Sequence, residues 1–338
     1  EDALAQGNGL SVDRRTGVVI EQRSSDLHLR LEDWTWRDSI PPIPSKIKSV
    51  LFEEVSDPPT TEPGRLAMYA LSRSWSPGQE ADAPETVLVD LADGSYHRIP
   101  FRGGHALPGA FLPDRKRVLV LGVDAFDSTV GLDLVDLSTG EVRRLGGETL
   151  ERGRCASPAI SPDGKTVAVA WKPMGGGLED SIFLVDLETG VARRLGEPRP
   201  HFALNWAPDG RSLVLGIRHY DRMEGPPREE IARLDLDGRL EVIRSGGWPV
   251  LVQGGRRILF KETQAGLWRT CDLDGGDARP VGDGLPQHGV PSASPDGSRV
   301  LMMKFGGPTP IPVVVDLETG RSMAVFESRG LWSLPTWR

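Results

Sequence analysis

The chain has 338 residues, 38% of them apolar, which is enough to bury a large core. No apolar run approaches the roughly 18 residues that a membrane span needs, and the formal net charge of −8 argues against a general nucleic-acid or anionic-membrane binder. The 40 Gly and 28 Pro fall at regular intervals, which is punctuation between short strands rather than disorder.

The chain starts at Glu1 without Met and carries no signal peptide, as expected of a mature secreted protein or of a trimmed chain. Repeats run through almost its whole length. Each has an anchor turn between a first and a second apolar run: Asp13, Gly64, Asp114, Asp163, Asp209, Gly254 and Asp296. Successive spacings shrink from 51 to 42 residues. The clearest anchor is Ser161-Pro162-Asp163-Gly164. Pro presets φ, Asp accepts local backbone bonds and Gly takes positive φ, so the tetrapeptide makes a tight turn. A second marker follows most anchors: Asp90–Gly94, Asp136–Gly140, Asp186–Gly190, Asp235–Gly238, Asp272–Gly275 and Asp316–Gly320, with Asp186-Leu-Glu-Thr-Gly190 as the type. Each lies between two β-rich runs and reads as a hairpin. Cys155 and Cys271 occupy different strand positions in different repeats, so two free thiols are expected.

This pattern predicts an all-β chain of seven units, each a four-stranded antiparallel sheet, arranged as one β-propeller domain over 1–338. The expected blades are 10–40 with 331–338, 46–101, 105–146, 154–196, 201–245, 248–282 and 288–327. The first unit begins at its second strand, 17–22, with no room before it for an inner strand. The C-terminal strand 331–338 is therefore expected to complete the N-terminal blade and close the ring, removing an exposed edge.

The S-P-D-G and D-L-E-T-G signatures resemble the TolB-like propeller repeat, a relative of the WD-type repeat. The resemblance is plainest at Asp163, Asp209 and Asp296 and weakest at Asp13, Gly64 and Gly254. It implies a ligand- or protein-binding scaffold in a periplasmic or secreted setting. It says little about chemistry, because propellers host many activities.

In such a fold the anchor and marker turns share one face. The second-to-third loops and the inter-blade links share the other. The loops 73–85, 124–131, 172–180, 218–230 and 304–310 are long and unlike one another, which makes their face the expected binding face. The inner strands also start there. Aligned on the residue five or six before the anchor Asp, the starts are His105-Ala-Leu-Pro108, Cys155-Ala-Ser-Pro158, His201-Phe-Ala-Leu204 and His288-Gly-Val-Pro291, with Trp332-Ser-Leu-Pro335 at the tail. Three histidines at equivalent positions form part of a ring, and with Gln287 they are candidate ligands for a divalent metal such as Mn, Zn or Ca. A half-buried histidine bonded to loop carbonyls accounts for the same positions. Arg102, Arg154, Arg199 and Arg329 lie in the same links and, with Trp332, are candidate ligand-binding residues. With 33 arginines in the chain, several are expected there by chance.

The same residues are similar to those of oligogalacturonate lyases, TolB-like propellers with a His-rich metal centre near the axis. That resemblance implies a metal-dependent lyase on an acidic carbohydrate, with His201 as the candidate base. The chain departs from it in having no H-x-H pair. G-x-S-x-G, H-E-x-x-H, C-x-x-C and P-loop patterns are absent. Asp124, Asp127 and Asp133 read as a solvated acidic loop before a Ca²⁺ site, and Trp171, Trp206 and Trp268 as packing residues. The leading expectation is a monomeric, non-catalytic scaffold for a protein, small-molecule or carbohydrate ligand. The metal-dependent lyase is the alternative.

Overall fold

In the repeat 201–245 the second strand is buried on both faces, and the fourth on neither. In the segment Ser212–His219 the first six residues are all buried, whereas Leu240–Ser245 buries none. A strand with both faces dry needs a cover on each side. Here the cover is another sheet. The computed structural model describes residues 10–13, 18–23, 26–32, 46–47, 66–71, 85–90, 96–99, 105–114, 116–123, 129–150, 153–173, 180–220, 228–263, 265–282, 285–286, 290–304, 311–324 and 336–337.

Strands β1 (Leu10–Asp13), β2 (Val18–Arg23), β3 (Asp26–Glu32) and β4 (Lys46–Ile47) pair in chain order. Strands β5 (Leu66–Leu71), β6 (Glu85–Asp90) and β7 (Tyr96–Arg98) form most of a second sheet. Five sheets of consecutive strands come next. They are β8 (His105–Phe111), β9 (Arg117–Val123), β10 (Thr129–Asp136), β11 (Val142–Leu145); then β12 (Gly153–Ile160), β13 (Thr166–Pro173), β14 (Asp180–Asp186), β15 (Ala192–Arg199). After these stand β16 (His201–Trp206), β17 (Ser212–His219), β18 (Arg228–Asp235), β19 (Leu240–Ser245), then β20 (Gly247–Val252), β21 (Arg257–Lys261), β22 (Trp268–Asp272), β23 (Arg279–Pro280). The last of the five is β24 (Ser292–Ala293), β25 (Arg299–Lys304), β26 (Ile311–Asp316), β27 (Ser322–Ala324). The tail strand β28 (Thr336–Trp337) lies antiparallel to β5, with Thr336 opposite Met68 and Trp337 opposite Ala67.

The innermost strands adjoin one another in the cycle β28, β8, β12, β16, β20, β24 and back to β28. The protein is thus an all-β propeller of four-stranded antiparallel blades. Five blades are made of contiguous chain, and a composite sheet of β28 with β5–β7 completes the ring. This corrects the expected seven blades and the expected closure. Leu10–Asp13 is itself a strand, paired through Leu10–Glu21 to Asp13–Val18, so the first repeat has no vacancy for the tail. The second repeat has the vacancy, because only three of its strands come from 46–101 and the open side of β5 takes β28. Among the described residues, β1–β4 hydrogen-bonds to no ring sheet.

Among the described residues, five of the six seams between neighbouring sheets of the ring carry an apolar cluster. Leu119, Leu121 and Leu132 meet Val167, Val169 and Trp171 across one seam. Ala168, Ile182 and Leu184 meet Leu213, Leu215 and Ile217 across the next. Val214 and Ile231 meet Ile258 and Phe260 across a third. Burial of about 25 cal/mol per Å² of apolar surface at these seams is the main force holding the ring.

The turns behave as their chemistry dictates. Ser161 Oγ donates to Asp163 Oδ1 at 2.6 Å, and the Lys165 amide donates to the same oxygen at 3.0 Å. In the second signature Asp186 Oδ1 accepts the Glu188 amide at 3.0 Å and the Thr189 amide at 2.7 Å. These hydrogen bonds hold the Asp163 and Asp186 carboxyls below their ordinary range. The anchor turns also dock on one another: a side chain added at Gly164 would meet Pro113 at 3.2 Å, one at Gly210 would meet Pro162 at 3.9 Å, and one at Gly255 would overlap Pro208.

That docking separates two otherwise equal substitutions. Gly210 and Gly255 have φ of 66° and 79°, so alanine at either should cost about 1–2 kcal/mol from the left-handed backbone. Gly255→Ala should lose a further ~1–3 kcal/mol from overpacking against the neighbouring turn. Urea unfolding of the two variants should place Gly255→Ala clearly below Gly210→Ala.

Candidate functional site

The end of the ring that carries the second-to-third connections is built unlike the turn end. Most of the long loops named from the sequence lie outside the described residues; their roots are described. At the β17–β18 root, Arg218 faces Glu229 and His219 faces Arg228 across the ladder. In the next blade the corresponding connection is a short hairpin, closed by the Glu262 amide donating to the Leu267 carbonyl at 2.8 Å.

A cluster spans the seam between these two blades. Phe202 pairs with Gly216, and its ring occupies the space that any side chain at Gly216 would need. The Arg218 guanidinium lies 4.8 Å from the Phe202 ring centre and 5.8 Å from that of Trp248. The two rings meet edge to face at 5.0 Å. Arg218 Nε and one terminal nitrogen both donate to Glu229 Oε1, at 2.9 and 2.6 Å, and Arg218 also bonds the Tyr220 side chain. Burial opposes the charge on Arg218, but Glu229 and Tyr220 outweigh it and hold the guanidinium above its ordinary value. Gly247 leaves room for this pair: a Cβ at that position would displace the Glu229 carboxylate.

Strained backbone aims these side chains. Ala203 and Trp248 have φ of 51° and 56°, a region that costs a non-glycine residue about 1–3 kcal/mol. Each stands six residues before its anchor, inside a bulge where two inner-strand residues face one on the second strand. Asn205 Nδ2 donates at 2.8 Å to both the Ala203 and Pro249 carbonyls, so one amide holds both bulges. On the opposite face of the same sheet, Glu230 bonds His219 Nε2 at 2.8 Å through one oxygen and Arg228 at 3.1 Å through the other.

The residues singled out from the sequence are distributed differently. His201 is 4% exposed and sits in the seam toward the preceding blade, where its ring donates to the main chain of Asp180 and Nδ1 is enclosed without a partner. Burial, helped by the charge of Arg199, pushes its pKa down to about 4 against the Asp180 bond, so the ring is neutral near pH 7. Arg199 is exposed at the end of β15. His105 begins β8 opposite Val123, and Arg154 lies in β12 opposite Lys172. Arg102, Gln287, His288, Arg329 and Trp332 lie outside the described residues. Among the described residues no three His, Cys, Asp or Glu side chains converge as a metal set. Asp133 is bound by Arg144 at 2.6 Å within its sheet, while Asp124 and Asp127 lie outside the described residues. Cys155 and Cys271 are free and buried, and burial pushes the Cys155 thiol up to about 12. Trp171, Trp206 and Trp268 are packing residues, 3%, 9% and 4% exposed.

The aromatic–arginine cluster was not singled out from the sequence. Its one sequence signal is Trp248, a bulky residue at a repeat position where Ala203 stands in the preceding blade.

The burial of His201 has a pH consequence. Its folded pKa lies below the unfolded value, so the unfolded chain binds the extra proton and stability falls as pH drops from about 6.5 toward 4. The loss should be on the order of 2–3 kcal/mol by pH ~4.5. Urea unfolding of His201→Phe should show a flatter dependence than wild type over that interval.

No family model and no curated protein matches the sequence. Solved structures do match the fold. TolB from Acinetobacter baumannii is 20% identical over 80% of this chain with a TM-score of 0.62, and the match spans 66% of that chain, just under two thirds of its length. Oligogalacturonate lyase from Vibrio parahaemolyticus is 12% identical with a TM-score of 0.56, over 96% of this chain and 86% of that one. The propeller domain of the Trilobed protease from Pyrococcus furiosus, described as having an open velcro topology, is 17% identical with a TM-score of 0.54, over 82% of this chain and 84% of that one. At these identities the likeness is one of architecture, and the architecture is that of a TolB-like β-propeller.

Proposed function

We propose that this protein is a recognition scaffold that binds a protein, small-molecule or carbohydrate ligand at the end of the ring bearing the second-to-third connections. One contrast carries the reading. On the turn face, the anchor and marker aspartates are spent on their own turns, and the glycines Gly164, Gly210 and Gly255 lie against the preceding turn. At the other end Phe202, Arg218 and Trp248 form a partly exposed shelf, with Tyr220 51% exposed beside it. Tyr, Trp and Arg carry a large share of binding energy wherever proteins recognise one another, and backbone strain is retained where a site over-determines it.

A lyase acting on an acidic carbohydrate is the second reading. His201 is the observation behind it: among the described residues its neutral ring has no partner at Nδ1, which leaves one lone pair for either a proton or a metal. In that reading His105, His201, His288 and Gln287 would hold Mn, Zn or Ca, which would supply Lewis-acid chemistry beside a uronate carboxylate, and Arg154 or Arg199 would grip the substrate.

Panels of immobilised oligosaccharides and random-sequence peptides, followed by hydrogen-exchange footprinting of any binder, test the first reading. Protection is expected at 199–204, 216–220, 228–231 and 246–249, and Trp248→Ala should weaken binding roughly 10- to 100-fold. Arg256→Ala, on the turn face, should leave it unchanged. A footprint on the turn face would overturn the reading. Metal analysis of untagged protein tests the second: stoichiometric metal, lost in the His201→Ala/His288→Ala double variant, is the result it requires.

A further inference from the structure

We infer that Asn205 is the positioning residue of the recognition shelf: its amide makes the left-handed bulges of two neighbouring blades hold or relax as one, so that Phe202 and Trp248 are presented as a single pre-set surface. The role rests on the recognition reading above, whose geometry it sets.

The inner strands β16 and β20 each carry one strained residue, Ala203 beside Phe202 and Trp248 itself. Neither is Gly, Asn or Asp, so the local sequence does not favour a positive φ at either place. The ladders do not hold them either. In β16 the register shifts between Phe202 and Asn205, and in β20 between Gly247 and Val250, which is where the strained residues sit. Among the described residues β16 is laddered to β17 and β20 to β21, with no ladder between the two inner strands.

Asn205 supplies what the ladders leave out. A side-chain amide has two N–H donors and one acceptor oxygen. Nδ2 donates at 2.8 Å to the carbonyl of Ala203 in its own strand and at 2.8 Å to the carbonyl of Pro249, the residue after Trp248, in the next blade. Oδ1 accepts from the Leu251 amide at 3.4 Å. These partners fix the orientation of the group, because turned over its oxygen would face two carbonyl oxygens. Neither carbonyl can swing without breaking a bond that also restrains the other blade. The next residue extends the tie backward: Trp206 Nε1 donates at 2.9 Å to the carbonyl of Ala159, at the edge of the corresponding bulge in the preceding blade. Asn205 is particular to this blade, since the residues four before Asp114, Asp163 and Asp296 are Ala110, Ala159 and Ser292. A shelf held in this way is ordered before a ligand arrives, which removes part of the entropy cost of binding.

Hydrogen exchange resolved by residue tests the coupling. Asn205→Asp keeps the shape of the side chain and removes both donors. It should speed exchange at 202–205 and at 247–251 together, by about tenfold or more, and leave 166–171 unchanged. Asn205→Ala should do the same without adding a charge. Trp248→Ala removes the ring contact and keeps the amide, so exchange at 202–205 should stay as in wild type. Fluorine NMR of 5-fluorotryptophan protein should show the Trp248 resonance shifted or split in Asn205→Asp and the Trp171 resonance unmoved. In the unmodified protein the two bulges should open as one unit, with exchange at 202–205 and 247–251 rising in parallel as urea is added. Separate urea dependences, or an Asn205→Asp effect confined to 202–205, overturns the inference. Uncoupled bulges with a ligand footprint at 199–204 and 246–249 leave the scaffold reading standing without this residue. Coupled bulges with a footprint on the turn face leave a tie between blades and remove its part in recognition.

Discussion

A four-stranded sheet of short strands cannot bury either of its own faces. Everything in this ring depends on that. Each blade borrows a cover from the blade before it and another from the blade after it, so second strands such as Ser212–His219 are apolar without alternation. Polar groups then survive only at the two ends of the seams. At one end they serve the turns. At the other they assemble a surface. Arg143 illustrates the economy of the first: its guanidinium donates to the Leu187 and Glu188 carbonyls of the next blade, satisfying backbone that neither sheet reaches alone. Arg233 does the same for Leu273, and Arg244 for Gly275 while lying 4.4 Å from the Phe260 ring centre. Part of the arginine richness is therefore mortar between blades.

The repeat was legible because its signals are local. S-P-D-G and D-L-E-T-G fix a turn within four or five residues, and every bond they imply forms, from Ser161 Oγ to Asp163 through Thr189 to Asp186. The blade count was not legible, because it depends on which open edge the tail reaches. The sequence pointed to the first repeat; the pairing of Leu10–Asp13 with Val18–Glu21 had already filled that place. A strand of four residues beside a weak anchor at Asp13 leaves little trace in composition.

The site was less legible for a related reason. Aligning inner-strand starts finds residues at equal depth, but a bulge resets which way each one points. His201 and Phe202 are neighbours in sequence, and they serve opposite seams: the first reaches Asp180 and the second Trp248. Histidines at matching positions therefore need not meet, and Arg218 and Trp248, 30 positions apart, do.

The composite sheet carries a temporal consequence. β5 cannot acquire its partner until residue 336 has left the ribosome, more than 260 positions after β5 itself. Until then a nascent chain holding most of its blades presents the unpaired side of Leu66–Leu71, an invitation to any passing strand. The last contact made is also among the most distant in sequence, the kind whose loop-closure entropy slows folding. Assembly of this ring is thus gated at its final step, and the interval before that step is when the molecule is most exposed to mispairing with its neighbours.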